Sequence, residues 1–198
     1  NIVSINEADA VAANDTFVTA VSVEDSLYAR DFFYLTGNAA FLDGPWFVGS
    51  GNNGQLGNVF RAEATADLVS VTAVFGGGFA IGDQSQANLY AMSGGAPSTL
   101  LASSAVLTVT AVDTPVVFYD FTFPANTSLT AGNDYFVSIQ QNAASSDRFG
   151  LYSAVELFTP NTSFLQINGG TWISMDTSGI GNQTFMVRAN LYSPQAVT

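Results

Sequence analysis

Val116-Val117-Phe118-Tyr119-Asp120-Phe121-Thr122-Phe123 decides the fold class. In an extended chain, Val117, Tyr119, Phe121 and Phe123 line one face, while Phe118, Asp120 and Thr122 line the other. The same period-two pattern recurs along the chain, and long helical periodicity does not. Tyr135 to Gln140 sets Tyr135, Val137 and Ile139 against Phe136, Ser138 and Gln140. Leu68 to Phe75 places Val69, Val71, Ala73 and Phe75 together, and Ala87–Met92, Ala105–Ala111 and Gln183–Tyr192 read alike. Weaker strands are expected at Phe17–Val23, Asp31–Leu35, Asn58–Glu63 and Arg148–Ser153. Ser163–Ile167 and Thr171–Met175 flank Asn168-Gly169-Gly170, residues that tolerate the positive φ of a hairpin turn. The pattern predicts an all-β chain, an antiparallel β-sandwich of jelly-roll type with roughly ten to twelve strands.

Around these strands the chain divides into three parts. Residues 1–25 are less strand-like and offer Ile2, Val3 and Ile5 as a short strand, to pair with its own sheet or with a neighbouring subunit. Residues 26–193 read as one sandwich domain, and 194–198 as a tail. Thr36 to Asn58 reads as the one long irregular stretch. It holds six glycines and the aromatics Phe41, Trp46 and Phe47. Such a loop is either functional or an Ω-like loop that folds its aromatics into the core.

Composition narrows the function. The chain has 198 residues, 47% of them hydrophobic, with 16 Phe, enough for a sizeable core. Only 10% are charged, so Ser, Thr, Asn, Gln and Gly must build the polar surface. Sixteen acids face four arginines, Arg30, Arg61, Arg148 and Arg188, for a net charge of −12. A nucleic-acid partner needs a cationic stripe, and anionic membranes disfavour the same balance. No apolar run approaches the ~18 residues of a membrane helix. There is no cysteine and hence no disulfide framework. No signal peptide is readable, and a start at Asn1 suggests a processed protein or an excised segment.

The chain also lacks histidine and lysine. It therefore cannot assemble a Ser-His-Asp triad, a Cys-His dyad, a His-ligated zinc site or a P-loop. Carboxylates alone would suffice for a glycosidase, but Glu7, Glu24, Glu63 and Glu156 are scattered. Calcium takes oxygen ligands only, and Asp134, Asp147 and Asp176 sit in turn-rich stretches, although no EF-hand loop occurs. Gly49-Ser50-Gly51-Asn52-Asn53-Gly54 matches G-x-G-x-x-G, but no helix follows to bind a pyrophosphate. Trp46, Trp172 and the seven tyrosines offer stacking faces for sugars, with Asn, Gln and Asp available for the hydroxyls. Within the glycine-rich stretch this points to Trp46, Phe47, Asp43, Asn52 and Asn53. Trp172 faces either core or solvent, and a core place is the ordinary one for an aromatic in a sandwich. N-x-[ST] sequons at Asn14, Asn126, Asn161 and Asn182 matter only in a glycosylating host.

From Asn58 to about Leu151 the chain resembles a secreted bacterial β-sandwich module, of the kind found in surface proteins of Bacteroidota with C-terminal sorting anchors. The residues that carry the resemblance include Leu68-Val69-Ser70-Val71, Asn88-Leu89-Tyr90-Ala91 and Phe121-Thr122-Phe123-Pro124. The most specific is Leu129-Thr130-Ala131-Gly132-Asn133-Asp134-Tyr135-Phe136-Val137-Ser138-Ile139, an L-x-A-G-x-x-Y-x-V-x-I run. The resemblance covers about half the chain and implies a lectin-like or carbohydrate-binding jelly roll, secreted or at the cell surface. It assigns no site residue, because fold does not fix function.

Three readings follow. The first is a non-catalytic structural protein, a subunit of an extracellular filament, sheath or layer that self-associates into a homopolymer through β-strand contacts. The second is a carbohydrate-binding or adhesive surface module with glycans as partners. The third and most remote is a carboxylate-only glycosidase. None requires a cofactor.

Overall fold

The computed structural model describes residues 27–29, 44–46, 53–76, 80–111, 117–125, 127–142, 150–154, 159–177 and 183–192. These form two antiparallel sheets, with no helix among the described residues. The first sheet has eight strands: β1 (Leu27–Tyr28), β2 (Gly44–Trp46), β4 (Ala66–Phe75), β8 (Val117–Thr122), β9 (Ser128–Leu129), β11 (Leu151–Ala154), β14 (Thr184–Phe185) and β15 (Val187–Tyr192). The second has seven: β3 (Gly54–Arg61), β5 (Gln84–Ser93), β6 (Ala96–Ser103), β7 (Leu107–Thr108), β10 (Asp134–Asn142), β12 (Ser163–Ile167) and β13 (Ile173–Ser174). Their order is β1-β15-β4-β11-β14 in the first sheet and β13-β12-β3-β10-β5-β6 in the second. The two sheets make a β-sandwich, as the alternation predicts.

The inward stripes are the ones read from sequence. Phe121 and Phe123 are buried, and Tyr119 packs against them from the same face. Opposite them, Tyr135, Val137 and Ile139 of β10 join Leu56 and Phe60 of β3 and Leu89 of β5 in one core. Burying each such large side chain contributes about 1.5–3 kcal/mol. Asn58 also points inward. Its amide donates to the Phe185 carbonyl, and its oxygen accepts from Phe185 N and from the Ser163 hydroxyl, both at 3.0 Å. One side chain thus stands in for a backbone partner and ties β3 to β14 across the sandwich.

Four sequence expectations need correction. The stretch from Thr36 to Asn58 is not irregular throughout, because β2 lies inside it and β3 begins at Gly54. β3 is a central strand, buried from Gly54 to Phe60. Its glycines look like turn punctuation, but Gly57 faces β10 so closely that a Cβ there would lie 2.0 Å from the Val137 carbonyl oxygen. Val69 does not share a face with Val71. The register with β15 shifts between Asn190 and Leu191, a bulge that turns Leu68 inward and leaves Val69 45% exposed. The strand expected at Ala105–Ala111 shrinks to Leu107–Thr108, while 96–103 forms the unforeseen edge strand β6. An edge strand buries little, so β6 has no alternation to read. Lastly, fifteen strands are present among the described residues, because two-residue bridges such as β1 and β9 carry no pattern.

Other boundaries move slightly: Arg148–Ser153 becomes Leu151–Ala154, and Thr171–Met175 becomes Ile173–Ser174. The β12–β13 hairpin forms as expected, with Asn168 and Gly169 both at positive φ. The strands expected at Phe17–Val23 and Asp31–Leu35 lie outside the described residues.

Candidate functional site

Alternation along the second sheet leaves a second set of side chains on its outer face. On β3 these are Gln55, Gly57, Val59 and Arg61, and on β10 they are Asp134, Phe136, Ser138 and Gln140. The backbone register brings them into rows. Gln166 of β12 is opposite Gln55, Gln55 is opposite Gln140, and Gln140 is opposite Gln86 of β5. Four glutamines from four adjacent strands therefore form a ladder across the sheet. With strands about 4.8 Å apart, the ladder spans about 14 Å.

The next rows complete the face. Gly57, Ser138, Asn88 and Ser103 lie in register beside the ladder. Beyond them come Val59, Phe136 and Tyr90. This last row joins Phe164 and Trp172 in an aromatic cluster separate from the main core. The Phe136 ring meets Trp172 edge-on at 4.9 Å and Phe164 at 5.8 Å, and Tyr90 meets Trp172 at 5.3 Å. Phe136 is fully buried, while Tyr90 and Trp172 are half-buried and form the cluster's outer surface. Arg61 and Asp134 close the far end as an ion pair at 3.5 Å.

A hydrogen-bond network locks the amides. The Gln55 oxygen accepts from Ser138 Oγ at 2.6 Å and from Asn88 Nδ2 at 3.0 Å. Gln55 Nε2 donates to Gln166 Oε1 at 3.1 Å. Asn88 Nδ2 also donates to Gln140 Oε1 at 3.0 Å, and its oxygen accepts from Ser103 Oγ at 2.6 Å. The Tyr90 hydroxyl lies within 3.1 Å of both ends of the Gln55 amide, joining the aromatic rows to the ladder. Burial raises the Tyr90 pKa above the ordinary tyrosine range, and the Gln55 hydrogen bond partly opposes this. Gln55, Asn88 and Ser138 are buried, whereas Gln86, Gln140 and Gln166 are only partly so. A fixed inner hub thus holds an outer row of amides in place.

Beside the ladder lies a cavity of about 340 Å³, lined by Asn53, Gly54, Gln55, Gln140, Gln166, Asn168 and Gly169. Every side chain in that lining is an amide. Asn53 and Asn168 are clasped together: Asn53 N donates to Asn168 Oδ1 at 2.9 Å, and Asn168 N donates to the Asn53 carbonyl at 2.6 Å. An amide donates and accepts at once, which suits hydroxyl groups, and an aromatic face suits the apolar face of a sugar ring.

Of the ligand candidates singled out from sequence, the structure describes Asn53 and the backbone of Trp46. Asn53 lies in the wall of this cavity. Trp46 is on β2 in the other sheet, paired through its backbone with Leu151. Asp43, Phe47 and Asn52, and the assembly candidates Ile2, Val3 and Ile5, lie outside the described residues. Trp172 lies between its two expected places: it is on the outer face, partly buried against the small aromatic cluster there. Among the calcium candidates, Asp134 pairs with Arg61, Asp176 Oδ2 accepts from Asn161 N at 2.6 Å, and Asp147 lies outside the described residues. Among the described residues, no three Asp, Glu, His or Cys side chains come together. Sequence reasoning missed Gln55, Gln86, Gln140 and Gln166. Glutamines at outward strand positions, in a chain so poor in charge, were the available signal.

No protein-family profile matches the chain. No curated protein matches it in sequence. Its fold is similar to part of the crystal structure of the cysteine protease and lectin-like domains of Cwp84, a surface-layer-associated protein of Clostridium difficile. That likeness has a TM-score of 0.53 and 20% identity, and covers 72% of this chain and 32% of that one. A clostridial Cwp84 structure after propeptide cleavage gives 0.55 and 15%, covering 73% and 37%. The likeness is to the lectin-like part. At these identities it is a likeness of fold, and the chain spans about a third of the length of those solved chains. Both come from clostridia rather than Bacteroidota.

Proposed function

We propose that this chain is a non-catalytic glycan-binding module, secreted or displayed at the cell surface, and that the outer face of its seven-stranded sheet holds the ligand. The observation that carries the reading is the in-register ladder of Gln166, Gln55, Gln140 and Gln86 beside the half-buried rings of Tyr90 and Trp172. Such a face binds hydroxyl-rich ligands without titrating groups. The lectin-like fold of the solved neighbour is in keeping with it. Three of the described carboxylates are held by neighbouring side chains. Asp120 is engaged by Thr72 and Asp67 by Ser128, while Asp134 is engaged by Arg61.

The test is binding to an immobilised array of neutral and acidic glycans, with the wild-type chain beside a Gln140→Ala/Gln166→Ala variant. Retention of the wild-type chain and loss by the variant is expected. No retention of either chain, or equal retention of both, would overturn the reading.

A second reading, the filament subunit, is favoured by the edge at β6, which has no outer strand partner among the described residues. The chain carries no charged residue between Asp83 and Asp113, and Leu100 and Leu101 are 50% and 47% exposed on that edge. An uncharged edge with apolar side chains is the part of an acidic protein that a like-charged copy can approach. Mass in solution, measured for the wild-type chain and for Leu100→Lys/Leu101→Lys, tests it. A polymer dispersed by the two lysines supports the reading, and a monomer at all concentrations removes it.

A further inference from the structure

Resting on the glycan-binding reading above, we infer that the ligand is a neutral, extended polysaccharide chain that crosses the strands along the line Gln166–Gln55–Gln140–Gln86. Three observations carry this.

The first is charge. The chain has a net charge of −12, yet no charged side chain stands in the ladder, in the row beside it or in the cavity lining. Among the described residues, the charges on this face are Arg61 and Asp134, which pair with each other beyond the aromatic row. A polyanionic glycan would meet the repulsion of an acidic protein with no cation among the described residues of the site to offset it. A neutral glycan meets neither repulsion nor an unpaired charge.

The second is shape. The ladder is bounded on one side by the Asn53–Asn168 clasp and on the other by Tyr90, whose hydroxyl reaches Gln55. Between these banks the polar groups repeat from strand to strand every ~4.8 Å. A single sugar would touch only part of such a row. A chain of linked sugars lying across the strands meets an amide at each strand it crosses.

The third is rigidity. The Gln55 amide bonds Ser138, Asn88, Gln166 and Tyr90, so the hub of the row is ordered before any ligand arrives. Little side-chain freedom is lost on binding, which makes weak individual contacts additive along a chain. The half-exposed amides of Gln140 and Gln86 are then the groups that touch the ligand.

Affinity electrophoresis through soluble neutral polysaccharides (a glucan, a xylan, a mannan) and through polygalacturonate, each at low and high salt, tests the inference. A series of oligosaccharides of increasing length from the retarding polymer completes it. Retardation by a neutral polymer, unchanged by salt, is expected, with affinity rising with chain length until the ladder is spanned. Gln86→Ala and Gln140→Ala should each weaken binding about tenfold, the scale of one or two hydrogen bonds, while the chain stays folded at the assay temperature. Gln86 lies outside the Gln55 hub, so its variant keeps the test sound if Gln140→Ala disturbs the fold. Retardation by polygalacturonate alone, relieved by salt, would overturn the inference while leaving glycan binding intact. So would an affinity indifferent to chain length, which marks a site for a single terminal sugar. Wild-type retardation that neither glutamine variant changes would remove the ladder as the ligand face, and the underlying reading with it.

Discussion

The outer faces of the two sheets obey the same alternation and differ in almost everything else. On the eight-stranded sheet, β15, β4 and β8 turn out Arg188, Asn190, Ser70, Thr72, Phe118 and Asp120. Thr72 donates to Asp120, Asn190 Nδ2 donates to Ser70 Oγ and Thr72 Oγ1 at 3.0 Å each, and the Arg188 guanidinium lies 5.4 Å from the Phe118 ring centre. Phe118 faces Val74 across the ladder and remains 46% exposed. On the seven-stranded sheet, Phe136 faces Tyr90 and Val59 and is fully buried. An outward phenylalanine is therefore a surface residue on one sheet and the centre of a small core on the other. Cross-strand neighbours, which pairing alone supplies, make the difference.

The sharpest break of that comparison is a matched pair of truncations. Phe136→Ala should cost about 4 kcal/mol, because it empties a closed cluster. Phe118→Ala should cost about 1 kcal/mol, the scale of a cation–π contact and partial burial. Urea unfolding of both variants measures the gap, and equal losses would erase the distinction between the faces.

Gly57→Ala comes next, at about 3 kcal/mol, since backbone rather than a flexible side chain blocks the new methyl. The same unfolding experiment reads it. A loss under about 1 kcal/mol would mean that β3 and β10 can part without damage.

Gln55→Leu should cost about 2 kcal/mol by removing the acceptor of the buried Ser138 hydroxyl and one of the two acceptors of Asn88 Nδ2. By contrast, Asp120→Asn on the other face should stay within about 0.5 kcal/mol and leave glycan retention unchanged. Comparison of their thermal midpoints and retention shows whether the amide face is the more interlocked.

The smallest effect is one of pH. Burial raises the Tyr90 pKa in the folded chain, whereas in the unfolded chain the hydroxyl ionises at its ordinary value. The stability it supports is thus full below about pH 10 and declines as pH rises from there toward the folded-state value. Unfolding midpoints followed through that window should fall more steeply for the wild-type chain than for Tyr90→Phe. Parallel curves would show that the ring is not held as its burial indicates.

Much of the fold was legible. Tyr135, Val137 and Ile139 point to the core as their alternation says, and Asn168-Gly169-Gly170 closes the hairpin it announces. The misreadings have specific causes. Gly57 is indistinguishable in sequence from a turn glycine, so the first half of a central strand reads as loop. Val69 fits the alternation of β4 until a bulge adds a residue. β6 sits at an edge, where little burial imposes no pattern. The site was less legible. Asn53 was singled out and lines the amide cavity, but the glutamines beside it were passed over because each stands alone in its own strand.

By itself the sequence determined an all-β sandwich, the inward stripe of its long strands, and a chain without histidine, cysteine or lysine to carry their chemistry. Only the tertiary structure decided that β3 lies between β12 and β10, and that Gln166, Gln55, Gln140 and Gln86 share one row. The physical reason is that period two tells which way a side chain points. It does not tell which strand lies beside it, and that is set by backbone hydrogen bonds between segments as far apart as Gln55 and Gln166.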